Sequence, residues 1–256
     1  MISVIVPTMW KAPHFVQFLP MLQENKHIGE VILIDNDTSK TNSDIYKYSK
    51  LVYLPQKENI YVNPAWNLGV EVSKFDKLCI LNDDVIFNLD CLDVLCDLIT
   101  PERGLMGFSE QSYCGFAPEL FETLKGTGMG ANVYLQECNI YENQRTSGMP
   151  HTYYGCAMFV HKSRFFKIPE EFKIYFGDLF VYLLNSFTVN RGEEIAPSVK
   201  LVSTASNAVK NYTIEDGLVF TKMSSTVKSF DKQIEKEKSI FYEVFERHGI
   251  HRVKDK

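Results

Sequence analysis

Four short strand-like runs, residues 2–6 (Ile-Ser-Val-Ile-Val), 31–34 (Val-Ile-Leu-Ile), 51–54 (Leu-Val-Tyr-Leu) and 78–81 (Leu-Cys-Ile-Leu), recur through the first part of the chain, most of them separated by helix-length stretches. Runs this short and this apolar read as strands buried on both faces. Strands alternating with helices at this rhythm specify βαβ units, hence an α/β fold with a mainly parallel central sheet flanked by helices. Three of the runs stop on polar residues: Thr8, Asp35 with Asp37, and Asn82-Asp83-Asp84. In a parallel sheet these carboxyl ends converge on one rim, which is where open α/β sheets bind ligands.

The last of these ends is the most informative. Asp83 and Asp84 are adjacent carboxylates that repel each other, a costly arrangement unless a cation or a hydrogen-bonding substrate compensates. A hard divalent ion carrying a diphosphate is the natural match, because Mg²⁺ and Mn²⁺ take oxygen ligands and are usually held by one or two carboxylates. The competing structural reading is a solvated turn with acids at the start of the next helix. Pro7-Thr8-Met9-Trp10 cannot supply GxGxxG after the first strand, which disfavours a dinucleotide-binding Rossmann domain, and GxxxxGK[ST] is absent throughout.

Whole-chain properties narrow the field. At 256 residues, 45% apolar and 23% charged, the chain can bury a sizeable core as one domain. A net charge of -5 gives no support for nucleic-acid binding. No apolar run approaches the roughly 18 residues of a membrane span, and the first residues lack a charged leader, so a cytoplasmic location is expected. None of the six cysteines forms a CxxC pair, which favours buried reduced thiols over a zinc site. The Asn-x-Thr triplets at Asn36 and Asn211 mean little without a secretory signal.

Helices are expected over about residues 13–23, weakened by Pro20, and over about 63–74, with Asn63 as N-cap and Pro64 at the first helical position. A third should follow Asn88 as its cap and stop at Pro101. Beyond it the pattern changes to strands at 104–108, 131–141 and 156–161 among Gly-rich loops, a helix at 178–187 and a last strand at 194–203. A final helix over about 226–248 lines up Val227, Phe230, Ile234, Phe241, Val244 and Phe245 and ends at Gly249. That face is expected to pack on the domain, with a homodimer contact as the second option.

Val-Ile-Val-Pro-Thr at 4–8, Val-Ile-Leu-Ile-Asp-Asn at 31–36, Asn63 to Gly69 and Leu-Asn-Asp-Asp at 81–84 resemble the nucleotide-sugar-binding half of GT-A fold glycosyltransferases of family-2 type. The resemblance spans about the first hundred residues and continues in two islands, Tyr154-Gly155-Cys156-Ala157-Met158 and Phe176-Gly177-Asp178. It implies a single GT-A domain: a nucleotide-sugar-binding half (1–100), a smaller mixed acceptor-binding half (101–225) and a C-terminal helix (226–256). It implies an inverting transfer from a nucleoside-diphosphate sugar, UDP the first choice, to a glycan or other hydroxyl acceptor.

Residue by residue, the family pattern assigns the base and ribose to Thr8 and Asp35, with Asn59 and Asn67 flanking the donor. Asn82-Asp83-Asp84 resembles the DxD motif with Asn in place of its first acid. Asp84 would be the ligand of Mn²⁺ or Mg²⁺, and Asp83 or Asn82 would contact ribose or phosphate. Trp66 stands where many members carry a basic residue, with core packing its favoured role. Asp178 resembles the general base, a role a positioned carboxylate can fill, although Gly177 replaces the acid that commonly precedes it. A helix cap is the structural alternative for Asp178. Tyr154 and Gly155 are weaker acceptor-side candidates, Tyr153 could stack on an acceptor sugar, and His151, His161 and His248 lack partners at metal spacing. Two rivals remain: a sugar-nucleotide pyrophosphorylase, which would need a Gly-rich basic loop near Pro7, and a non-catalytic nucleotide- or carbohydrate-binding domain, kept open by Asn82 and Gly177.

Overall fold

The structure, a computed structural model, describes residues 1–12, 14–41, 43–109, 113–115, 139–142, 154–185, 193–196, 199–203, 209–215, 219–221 and 230–252. Four strands, β1 (Ile2–Thr8), β2 (Ile28–Asp35), β3 (Leu51–Pro55) and β4 (Lys77–Leu81), fall on the four runs and lengthen them. They pair in parallel in the order β3-β2-β1-β4, with Val4 opposite both Val31 and Cys79. Helices cover both faces, which is why β1 is buried at every position.

On one face lie α1 (Phe15–Glu24), continuous through Pro20, and, further along the chain, residues 91–98. They pack Phe18, Leu22, Leu92 and Leu95 against Val4, Val31 and Phe159. The other face carries α2 (Val62–Val72), whose Ala65, Trp66 and Val70 meet Ile5, Ile32 and Ile34. A Cβ on Gly69 would stand 2.3 Å from the Ile5 Cγ2, so α2 reaches β1 this closely only because residue 69 has no side chain.

Two expected helix caps turn out otherwise. Asn63 is the second residue of α2, behind Tyr61 at the cap with φ 69, and no side chain caps the helix. The Asn63 amide is instead fully buried and donates to the Tyr175 carbonyl at 2.9 Å, a tertiary partner outcompeting the local one. Asn88 accepts the Asp90 N–H at 3.0 Å, a turn just ahead of α3 (Cys91–Leu98), whose own cap residue is Asp90.

The remaining strands are β5 (Val85–Phe87), β6 (Arg103–Phe108), β7 (Tyr113–Gly115), β8 (Asn139–Glu142), β9 (Ala157–His161), β10 (Glu193–Ala196), β11 (Val199–Ser203), β12 (Lys210–Glu215), β13 (Val219–Thr221) and β14 (Ile250–Arg252). The central sheet extends to eight strands, β3-β2-β1-β4-β9-β6-β12-β8. β9 runs antiparallel to both β4 and β6, while β12 is parallel to β6 and antiparallel to β8. The fold is thus α/β with a parallel first half and a mixed second half. The expected last strand at 194–203 is two antiparallel strands, β10 and β11, with an irregular register between Glu194 and Ala196, and β11 pairs in turn with β14 in a small separate sheet. Pro197, which has no N–H to give a ladder, falls in the sequence between the two strands. β5, β13 and β7 form another small sheet.

Among the described residues two further helices, α4 (Gly177–Asn185) and α5 (Asp231–Arg247), pack on the α2 face. Phe241 and Phe245 of α5 pack on Phe172, with Phe176 on Phe241 at 4.4 Å and Phe180 on Phe245, so the apolar stripe of the last helix is spent within the domain. Residues 226–229, His151, Tyr153 and most of the expected strand at 131–141 lie outside the described residues. Cys79, Cys91 and Cys96 are buried and Cys156 half-buried. Among the described residues no helix is long and apolar enough to cross a membrane.

Candidate functional site

The carboxyl ends of β1 and β4 open into a cavity of about 420 Å³. Its floor is built by β1 and the turn after β4. The Thr8 hydroxyl donates to the Asp83 carboxylate at 2.7 Å and accepts the Trp10 N–H at 2.9 Å. Burial pushes the Asp83 carboxyl up to about 6; the Thr8 hydrogen bond opposes the rise and the charge of Asp84 adds to it. Asp84 lines the same cavity.

Because β9 pairs with β4 so that Ala157 faces Leu81, the residues just before β9 lie beside Asn82. The Asn82 N–H donates to the Cys156 carbonyl and its side-chain amide to the Gly155 carbonyl, both at 3.0 Å, while its Oδ1 is buried without a partner among the described residues. Gly155 also faces the other way. Its N–H, with those of Asp178 and Leu179, is donated to the Asp178 carboxylate, and a Cβ on residue 155 would meet Asp178 Oδ2 at 3.0 Å. One peptide segment therefore ties the acidic turn after β4 to a second acid at the start of α4.

Asp178 is the second residue of α4, inside the helix rather than at its cap. Burial raises its pKa above the ordinary carboxylate value, and the three backbone N–H groups oppose that rise. The neighbour before it has no room for an acid, since a Cβ on Gly177 would lie 2.3 Å from the Asn63 Oδ1. Asn82 has a comparable local reason: its amide N–H is needed to donate to Gly155, which a carboxylate cannot do.

The lining also carries an aromatic wall of Tyr61, Tyr175, Phe176 and Phe230, with Tyr61 and Phe230 rings 5.5 Å apart. Among the described residues, the non-glycine positions with positive φ are Trp10 (57°), Tyr61 (69°) and Phe176 (64°). Two line the cavity and the third sits between Met9 and Lys11, which do. Backbone strain of this kind costs energy and collects where a site must be shaped.

Of the residues singled out from sequence, Thr8, Asn59, Asn82, Asp83, Asp84, Gly155 and Asp178 line the cavity, as does Trp66, otherwise buried in the core. Asn59 accepts the Tyr61 N–H at 2.8 Å and so helps hold its unusual backbone. Three others, Asp35, Asn67 and Tyr154, are not among the lining residues. The fully buried Asp35 carboxylate takes the Asp37 N–H at 2.9 Å, the Tyr53 hydroxyl at 2.8 Å and the Thr41 hydroxyl, bracing the loop after β2. Asn67 clamps Ile168 through both its N–H and its carbonyl at 2.9 Å. Tyr154 stacks on Tyr182 at 5.4 Å and donates to the Tyr212 carbonyl.

Sequence reasoning passed over Lys11, Asn36, the aromatic wall and Glu237, a buried acid of α5 that binds the loop carrying Tyr175. Lys11 is the only cationic side chain among the described residues of the lining, and its place just past β1 was the available signal. Asn36, noted only as a glycosylation triplet, is buried and accepts the Ile60 N–H. Among the described residues no three His, Cys, Asp or Glu side chains gather into a metal cage. An ion here would have to complete its shell with ligand oxygens, as Mg²⁺ commonly does.

No family model matches the chain and no curated protein matches it significantly. Solved structures do. The S. aureus TarS fragment 1–349 in complex with UDP aligns over 92% of this chain at 15% identity with a TM-score of 0.54. Its complex with UDP-GlcNAc aligns over 95% at 14% identity with a TM-score of 0.57. The chain spans 63% and 66% of those fragments, slightly under two-thirds, and 43% of the longer S. aureus TarS structure. At these identities the likeness is one of fold, and that fold is the GT-A type of glycosyltransferases.

Proposed function

We propose that this protein is a GT-A glycosyltransferase that moves a sugar from a nucleoside-diphosphate donor, UDP the first candidate, to a hydroxyl acceptor with inversion. The observation that carries the reading is the meeting, in one cavity and across the single residue Gly155, of the Asp83-Asp84 pair with a second buried carboxylate, Asp178. TarS, a protein of the same fold, is solved in complex with UDP and with UDP-GlcNAc, which supports a nucleotide-sugar ligand.

In this reading the pocket around Thr8, Asn36 and Asn59 takes the nucleoside, and the Lys11 ammonium approaches the diphosphate. The oxygen-only donor set and the mutual repulsion of Asp83 and Asp84 fit a hard divalent cation, with Asp84 its protein ligand. Mn²⁺ or Mg²⁺ held there would supply positive charge beside the leaving diphosphate. Asp178 does the proton chemistry. Its carboxylate takes the acceptor hydroxyl proton as the acceptor oxygen bonds to the anomeric carbon and the bond from that carbon to the diphosphate oxygen breaks. Three backbone N–H groups favour the ionised form but only partly offset the cost of burial, so the group is more basic than an ordinary carboxylate and is fixed in direction. The aromatic wall offers faces on which an acceptor ring can stack. The cytoplasmic location and the division into a donor half (1–100) and an acceptor half (101–225) belong to the same reading.

The test is turnover with a panel of UDP-, GDP-, dTDP- and CMP-sugars, with and without Mn²⁺, beside nucleotide binding by thermal shift. Release of nucleoside diphosphate from one donor supports the reading. Nucleotide binding with neither transfer nor donor hydrolysis would return the chain to a binding module.

A further inference from the structure

We infer that Glu237 is a positioning residue for Asp178, a role that rests on reading Asp178 as the general base. Glu237 lies in the middle of the apolar stripe of α5, between Ile234 and Phe241, and is fully buried. An acid in such a place needs strong hydrogen-bond partners. It has them in an unusual form. One oxygen, Oε1, accepts the N–H groups of Lys173 at 2.9 Å and Ile174 at 3.1 Å, and the Gln233 side-chain amide at 2.9 Å. The other, Oε2, accepts Ile174 at 3.2 Å and Tyr175 at 2.8 Å. Three successive backbone N–H groups converge on one carboxylate, the arrangement by which a peptide nest holds an anion, here supplied by the protein itself.

The same segment is gripped from its other side by α2. The Asn63 N–H donates to the Lys173 carbonyl at 3.0 Å and its side-chain amide to the Tyr175 carbonyl at 2.9 Å. Residues 173–175 are thus held from both sides, their amides on Glu237 and the Lys173 and Tyr175 carbonyls on Asn63. Immediately beyond them the chain makes the strained turn at Phe176, φ 64, whose carbonyl accepts the Phe180 N–H at 2.8 Å and so starts α4. Asp178 is two residues beyond Phe176. Ile174, Tyr175, Phe176 and Asp178 all line the cavity, so the anion on α5 holds one continuous wall of it.

A loop that only needed anchoring could be packed with apolar side chains. A charge-assisted clamp fixes direction as well as place, and direction is what a base requires: an offset of about 1 Å in a reacting group can cost about 10²-fold in rate. Glu237 is not among the residues that line the cavity; it acts through the turn.

The experiment compares wild type with Glu237→Gln and Glu237→Asp in the full chain, by hydrogen exchange at residues 173–179, calorimetry with UDP, and kcat with the best donor. Glu237→Gln removes the charge at nearly constant shape, and Glu237→Asp keeps the charge but withdraws it from the amides; should the first fail to fold, the second decides. The expected result is lost amide protection confined to 173–178, UDP affinity within about twofold of wild type, and kcat lowered by about 10- to 10²-fold. Unchanged protection, or a lowered Tm with kcat intact, overturns the inference and leaves Glu237 a stability staple. If wild type transfers no sugar at all, it is the glycosyltransferase reading that fails, and the exchange data still decide whether Glu237 holds the turn.

Discussion

At the scale of single residues, Asp178 carries the sharpest forecast. Asp178→Asn keeps shape and much of the hydrogen bonding but cannot accept a proton, so transfer should fall by about 10²- to 10⁴-fold while UDP affinity measured by calorimetry barely changes. Near-normal transfer by a folded mutant would leave Asp178 a structural residue at a helix start. Its raised pKa adds a pH signature. The folded protein holds the Asp178 proton to higher pH than the unfolded chain does, so ionising it costs native stability, and that cost is fully present above the folded pKa. The stability of Asp178→Asn relative to wild type should therefore improve as pH rises from about 4 toward neutrality, as urea titrations at several pH values would register. In the same wild-type enzyme, the acid limb of kcat should lie above the ordinary carboxylate range. Asp84→Asn should lower transfer and abolish any Mn²⁺-dependent gain in nucleotide affinity; a mutant with wild-type metal response removes Asp84 from the metal site. Residues of this kind were legible because adjacent acids at a strand end are rare and expensive. Asp35 was legible as an acid at a strand end too, but which way its carboxylate turns depends on Tyr53 and Thr41, which no local pattern announces.

At the scale of elements, the first half of the fold followed from periodicity, because the largely buried β1, β2 and β4 leave an unmistakable apolar run, while β3, at the sheet edge, is only partly buried. The helix starts were harder. Asn63 before a proline carries the same signature whether its amide caps the helix or, as here, crosses to the Tyr175 carbonyl. Glu237 was illegible for the opposite reason: on an apolar stripe an acid looks like an interruption, and only the folded loop supplies its three donors. Contact between α2 and α4 has its own test. Gly177→Ala would place a methyl 2.3 Å from the Asn63 Oδ1, and relief must come from moving α4 or expelling the Asn63 amide. A loss of about 1–3 kcal/mol is expected from overpacking of this sort, read by denaturant midpoint, together with weakened activity because Asp178 rides on the displaced helix. A neutral Gly177→Ala would mean that the junction yields easily and that the missing acid before Asp178 has no steric cause.

At the scale of the whole molecule, the hydrogen bonds that build the cavity join distant stretches of chain. Thr8 to Asp83 spans 75 residues, Asn82 to Gly155 73, Asn63 to Tyr175 112 and Glu237 to Tyr175 62. The parallel units β1-α1-β2 and β2 to β3 close over much shorter loops. Loop closure entropy must be met before a long-range contact can reward it, so local units form readily and the long-range closures come last. Refolding should accordingly pass through a stage in which far-UV circular dichroism has recovered but a fluorescent UDP analogue finds no site. Simultaneous recovery of both signals would mean that the cavity is part of the nucleus. A nascent or heat-stressed chain would then hold a formed sheet around an inert pocket, and the window between secondary structure and ligand competence would be the interval in which a nucleotide, by binding only the finished form, pulls the last closures shut.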